Sequence, residues 1–167
     1  SGILNSVTFD GSSQYLLLPT DFANLTSGIS IFAMVKPSAS VATGTPFVCG
    51  ESSNNDAAIL KITGSGTNAA LFAFNGSTSS NVTTSSNPIS TSAFQLVEGV
   101  YTPSSSPNTG VGKVYVGGTL QATATNMVQN LNNTSRTLNR IGTGTGSTEW
   151  FGGDICEILV YSNPVSD

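Results

Sequence analysis

The chain has 167 residues, enough for one domain that buries most of its apolar surface; 38% are hydrophobic, only 8% are charged, and the net charge is −4. An ordinary domain is roughly 25% charged, so this surface rests on Ser, Thr, Asn and Gly, and its contacts are expected to depend little on salt. The acidic balance without any basic run argues against nucleic acid and an anionic membrane as partners, and no apolar stretch reaches the roughly 20 residues that span a bilayer. No signal peptide is visible, and from its start at Ser1 rather than Met the chain, read as one domain over 1–167, is expected to be a processed or excised piece of a longer protein.

Short apolar runs follow one another from end to end. "SVTFDG" and "QYLLLP" come first, separated by the turn after Asp10-Gly11. "ISIFAMVKP" at 29–37 places Ile29, Ile31, Ala33 and Val35 on one face and Phe32 and Met34 on the other. Both faces are apolar, which predicts a strand in a sheet interior. "PFVCGE", "AAILKIT" and "NAALFAFNG" follow, with "GSGTN" and Asn75-Gly76 as punctuation. In "AFQLVEGVYT", Phe94, Leu96 and Val100 share a face with Glu98, an unusual place for a carboxylate. "KVYVGG" and "TLQATAT" meet at Gly117-Gly118, a two-residue hairpin signal, and the second run sets Leu120, Ala122 and Ala124 on one face. "TLNRIG" and "DICEILVY" close the series, and Ser/Thr/Gly/Pro-rich loops fill 76–93, 102–112 and 142–149. With no helical period of useful length, these strands and turns predict an all-β sandwich or barrel in one domain.

The order of the motifs "VTFDGSSQYLLLP", "ISIFAMVKP", "FQLVEGVY", "GKVYVGGTLQAT" and "RIGTG…FGGDICEILVYSNPVS" resembles the laminin-G-like, concanavalin-A-like jelly-roll lectin and glucanase superfamily over about residues 7 to 166. The resemblance implies an all-β fold of two stacked antiparallel sheets with essentially no helix, and first and last strands side by side. It places Asp154, Glu157 and Tyr161 on recurrent positions of the last strand, with Cys156 where relatives carry Asp or Ala. Met34 and Phe94 stand where relatives usually carry Trp, and Gly117 where they carry a hairpin Asp.

Strict alternation along "DICEILVY" puts Cys156 with Ile158 and Val160 on the core face and turns Asp154 and Glu157 to opposite faces. A buried thiol is therefore expected at Cys156, and pairing with Cys49 stays open, with free thiols favoured. Asn24, Asn75, Asn81, Asn132 and Asn133 each open an Asn-x-Ser/Thr sequon, a match that arises easily in a chain this rich in those residues.

Catalysis is disfavoured. The chain has no histidine, which excludes a Ser-His-Asp or Cys-His arrangement and a His-ligated metal. The Glu-x-Asp-x-x-Glu strand pattern of glucanases with this sandwich is absent, and Asp154 and Glu157 are expected to be structural. The oxygen-rich loop "GESSNNDAA" makes Glu51, Asn54 and Asp56, with Asn55 beside them, candidate calcium ligands; the alternative, an ordinary polar loop, is favoured. No other cofactor is indicated.

Sugar recognition requires an aromatic platform with amide and carboxylate partners. The one tryptophan, Trp150, lies next to Glu149, so these two with Asn54, Asn55 and Asp56 form the candidate ligand site, on loops at one rim. Trp150 has an equally natural role as a cap on the core, and Tyr101 and Tyr115 are further candidates. The expected function is a non-catalytic extracellular recognition module for a glycan or glycosylated surface. The alternative is a structural, decoration or adhesion domain that meets neighbouring subunits on a virion, appendage or cell surface.

Overall fold

The computed structural model of the chain describes residues 5–20, 22, 24–40, 42–51, 56–76, 78–128, 130–146 and 148–165. Among them there is no helix. The strands are β1 (Val7–Asp10), β2 (Leu16–Leu17), β3 (Ile29–Pro37), β4 (Gly44–Cys49), β5 (Ala58–Thr63), β6 (Asn68–Asn75), β7 (Thr78–Thr83), β8 (Gln95–Thr102), β9 (Gly110–Val116), β10 (Thr119–Met127), β11 (Arg140–Ile141) and β12 (Gly152–Tyr161). They form two six-stranded antiparallel sheets, β1-β12-β3-β8-β9-β10 and β2-β11-β4-β5-β6-β7.

The first and last strands pair, Thr8 opposite Asp154 and Phe9 opposite Gly153. Strand β3 lies inside its sheet between β12 and β8, as its two apolar faces require. Gly117 and Gly118 both take positive φ (58° and 75°) in the β9–β10 hairpin, a backbone that a two-residue turn needs and that side chains resist. Between the sheets lie Ile29, Ile31, Ala33, Val35, Val97 and Val114 from one side and Phe47, Leu60, Ile62 and Leu71 from the other, all buried. Each such large apolar side chain contributes about 1.5–3 kcal/mol on leaving water.

Two β-bulges move side chains that strict alternation assigned elsewhere. On β12, Ile155 pairs with Val35 and Glu157 with Met34, leaving Cys156 as the extra residue. Ile155 takes the core place, Ile158 and Val160 pack against the core, and Cys156 is only half-buried. Asp154 and Glu157 consequently share the outer face, opposite Lys36 and Met34, rather than opposing each other. On β10 a register shift follows Leu120, so Ala122 and Ala124 pack on the core while Leu120 turns outward opposite Tyr115.

The Asp154 carboxylate receives the Lys36 ammonium at 2.7 Å and the Thr8 hydroxyl at 2.6 Å, tying β1, β12 and β3 together. These hydrogen bonds hold its pKa below the usual carboxylate range. Glu157 is exposed. Neither cysteine is paired. Cys49 is buried in the core with its thiol pushed up to about 11 by desolvation. The Cys156 thiol is also raised, first by burial and then by the charges of Asp154 and Glu157. A disulfide-exchange reagent at neutral pH should label Cys156 slowly and faster as pH rises, and reach Cys49 only on unfolding. Equal labelling rates for the two thiols under native conditions would contradict this placement.

Candidate functional site

The edge strands β1 and β2 lie at the same end of the two sheets, and the sandwich is open between them. An open cleft of about 400 Å³ is lined there by Val7, Thr8, Phe9, Ser13, Gln14, Tyr15 and Leu16. A smaller one of about 170 Å³, sharing Val7, Phe9 and Leu16, is lined also by Ile141, Ile155, Cys156, Glu157 and Ile158. The turn between the two strands is held by its own hydrogen bonds. The Asp10 carboxylate accepts hydrogen bonds from the backbone N–H groups of Ser12, Ser13 and Gln14 and from the Ser13 hydroxyl, which drives its pKa far below the ordinary range. Gln14 in turn accepts the Asp10 N–H at 3.1 Å.

This turn delivers Tyr15 to Trp150. Their ring centroids are 6.0 Å apart at an interplanar angle of 50°, and the Arg140 guanidinium on β11 lies 5.1 Å from the Tyr15 ring centroid. Tyr15 is 44% exposed and Trp150 half-buried, so the pair presents ring surface while resting on the scaffold. An aromatic face beside a cation and a side-chain amide is a combination that stacks an apolar ring surface and bonds polar groups at its edge.

Glu149, adjacent in sequence, is held differently. Its carboxylate accepts the Lys61 ammonium of β5 at 2.6 Å and the Thr45 hydroxyl at 3.4 Å, and its carbonyl accepts the Thr45 N–H. Lys61 is itself buried and lies 4.4 Å from the centroid of the Phe72 ring. Phe72 and Phe74 stack on the outer face of β6 at 6.4 Å and 17°, over a second small apolar cluster of Val48, Ala57 and Ile59. The sequence signal for these rings is the alternation in "LFAF", which sends Leu71 and Ala73 to the core and both phenylalanines outward.

Asp56, next to Ala57, is buried. Its carboxylate accepts the Gly76 N–H at 3.2 Å and the Asn132 amide at 2.5 Å. Glu51 accepts the Thr134 hydroxyl at 3.1 Å. The guanidinium of Arg136, fully buried, donates to the carbonyls of Asp56, Phe22, Asn132 and Thr134. The described groups that face the Asp56 carboxylate are thus donors, the Gly76 N–H and the Asn132 amide. Asn54 and Asn55 lie outside the described residues. Among the described residues no three of His, Cys, Asp and Glu gather into a metal-binding group. Tyr101 is buried with its hydroxyl donating to Val128, and Tyr115 is buried as well.

The sequence matches the family of this fold along most of its length. The chain belongs to the laminin-G-like branch of the concanavalin A-like lectin/glucanases superfamily, matched over residues 10–167. No curated protein sequence matches it. Among solved structures, it is similar to the CBM40 of an IT-sialidase from Ruminococcus gnavus bound to α2,3-sialyllactose, with TM-score 0.74, 16% identity, and 96% of this chain and 91% of that chain covered. Domains LG4-5 of mouse laminin α1 give TM-score 0.70 at 13% identity, covering 99% of this chain and 45% of that one. A botulinum neurotoxin type C structure, described as dependent on two ganglioside molecules for cell entry, gives 0.61 at 12%, covering 97% and 42%. At such identities these likenesses establish the fold. No helix among the described residues is long and apolar enough to cross a membrane.

Proposed function

We propose that the chain is a non-catalytic, extracellular recognition module that binds a glycan or glycosylated surface at the β1–β2 edge, with Tyr15 and Trp150 as its stacking platform. The observation that carries this is the Tyr15–Trp150 pair beside an open cleft of about 400 Å³, flanked by Arg140 and Gln14. The sialyllactose-bound and ganglioside-dependent neighbours support a glycan as the partner class. A non-catalytic role is supported by the carboxylates: Asp154 is bound by Lys36 and Thr8, and Glu149 by Lys61, so neither is free to act as a general acid or nucleophile. Glu149 in this reading fixes the loop that carries Trp150. In this reading Glu51 and Asp56 tie loops, through Thr134 and through Gly76 and Asn132, and recognition needs no calcium.

The test is glycan-array binding of the chain with and without chelator, followed by Tyr15→Ala and Trp150→Ala measured for affinity and melting temperature on the same samples. A monosaccharide-sized contact that rests on stacking should weaken about tenfold or more in each variant, near 1.4 kcal/mol. Tyr15→Ala, being exposed, should melt within a few degrees of the parent. Unchanged affinity in both variants for a glycan that binds the parent would remove this edge from the site.

A further inference from the structure

A sandwich of two sheets has two lateral ends, and this chain finishes them differently. At the β7–β10 end the gap between the sheets is filled: Val82 of β7 and Met127 of β10 are buried in the core, and the Val128 N–H donates to the Ser80 hydroxyl across it at 2.7 Å. At the β1–β2 end, apolar side chains that face the gap stay open to water. Alternation along β1 sends Val7 to the side of Phe9, and Val7 pairs with Ile155 of β12. From the other sheet, Leu16 pairs with Ile141 of β11. Phe9 and Ile155 are buried, yet Val7 and Leu16 remain 50% and 46% exposed. The slot between these two pairs is the cleft of about 170 Å³, completed by Ile158, Cys156 and the exposed Glu157. Ordered water needs two to four polar partners, so a space walled in this way takes apolar matter instead.

We propose that this slot receives a short hydrocarbon segment of the ligand bound at the same edge, so that the ligand is an amphiphile: a glycan carried on an aliphatic aglycone, as in a glycolipid. Two features select that occupant. The first is the lining. Apart from the Cys156 thiol and Glu157, the side chains are Val7, Phe9, Leu16, Ile141, Ile155 and Ile158, none of which can bond a sugar hydroxyl. The second is continuity. The slot shares Val7, Phe9 and Leu16 with the larger cleft, whose other side chains, Thr8, Ser13, Gln14 and Tyr15, all carry hydrogen-bonding groups. One molecule therefore reaches both, its polar end among the hydroxyls and the amide and its tail between the sheets.

Size sets the length of that tail. An apolar void of about 150 Å³ holds a benzene-sized molecule, so the slot has room for about six carbons. Each methylene that leaves water there should tighten binding by up to about fourfold, and carbons beyond the sixth should add little. The polar half of the assignment rests on the proposed function; the slot does not.

Cys156 reports occupancy, because it lines the slot while Cys49 is buried in the core. The test is the rate of Cys156 labelling by a disulfide reagent in the presence of methyl, butyl, hexyl and octyl glucosides, each below its micelle-forming concentration. Methyl glucoside should not protect the thiol. From butyl to hexyl, the half-protecting concentration should fall about two- to fourfold per methylene, with little further gain at octyl. Leu16→Ser should raise that concentration for hexyl glucoside about fivefold or more, with a melting temperature within a few degrees of the parent. Leu17→Ser, on the same strand but opposite Arg140 and 68% exposed, should leave it unchanged. Hexyl glucoside that protects no better than methyl overturns the proposal, as does protection that Leu16→Ser leaves intact. So does faster labelling in Ile3→Ser/Leu4→Ser without any glucoside, together with protection by hexyl glucoside in that variant alone, which would make the chain's own first residues the occupant. Hexyl protection by a chain that binds nothing on a glycan array would support the slot and overturn the proposed function, and glycan binding without hexyl protection would do the reverse.

Discussion

Replacing Arg136 by methionine should lower the stability of the domain by about 3–5 kcal/mol, the largest loss expected from any single polar side chain here. The guanidinium is fully buried and donates to four backbone carbonyls, Asp56 at 2.8 Å, Phe22 at 2.7 Å, Asn132 at 2.9 Å and Thr134 at 3.4 Å. These carbonyls come from three loops far apart in sequence, which the planar fork of one side chain gathers. Burial lowers the pKa of the group, and the nearby Cys49, Asp56 and Glu51 oppose that shift. Methionine retains most of the apolar stem but removes every donor, so carbonyls that are out of water lose their partner at about 1–3 kcal/mol for each group that does not relax. Thermal melts should show a fall of roughly 6–20 °C for a chain of this size. Arg136→Lys should recover little, since a single ammonium cannot reach acceptors spread around a planar fork. A loss under about 1 kcal/mol in Arg136→Met would mean that water satisfies those carbonyls and that the loops hold without the guanidinium.

Arg136 also marks where the sequence stops informing. Within "NNTSRTLN" it reads as one polar residue among others, and its burial is created by loops that meet only in the folded chain. Glu149 is similar, because its partner Lys61 lies on a different strand and looks like an ordinary solvent-facing cation within "AAILKIT". The sheets themselves were legible. Gly117-Gly118 marked the β9–β10 hairpin, two apolar faces marked β3 as central, and the ordered motifs placed the first and last strands together. What alternation could not register was the bulge. One extra residue at Cys156 reverses the facing of everything before it, so Ile155 replaces it in the core and Asp154 joins the face of Glu157. The shift after Leu120 does the same on β10, and it is why Leu120 faces outward while Ala122 and Ala124 pack on the core. Trp150 stood out as the one tryptophan of the chain, beside Glu149. Tyr15 did not, since "QYLLLP" gives no sign that its ring meets Trp150 from the other end of the chain.

Gly153→Ala should cost more than about 3 kcal/mol, while Gly117→Ala, the matched control, should cost only about 1–2 kcal/mol. Both residues have positive φ, 126° and 58°, so both substitutions carry backbone strain. Their surroundings differ. A Cβ on Gly117 meets nothing within 4 Å, whereas one on Gly153 would lie 2.3 Å from the Lys36 carbonyl oxygen and 2.9 Å from Pro37 Cα and Ser38 N. Those are backbone atoms, which cannot rotate away as a side chain would, so β12 and β3 must separate locally. Gly153 is paired with Pro37 on one side and Phe9 on the other, and the next residue, Asp154, holds both Lys36 and Thr8. Separation at this point therefore loosens β1, whose Val7, Thr8 and Phe9 line the cleft at the proposed glycan edge. Hydrogen exchange of the β1 amides should rise in Gly153→Ala and not in Gly117→Ala, and affinity for a confirmed glycan should fall only in the former. Equal melting temperatures for the two variants would show that β3 yields without cost, and that the fit of Gly153 against its backbone does not hold the cleft in shape.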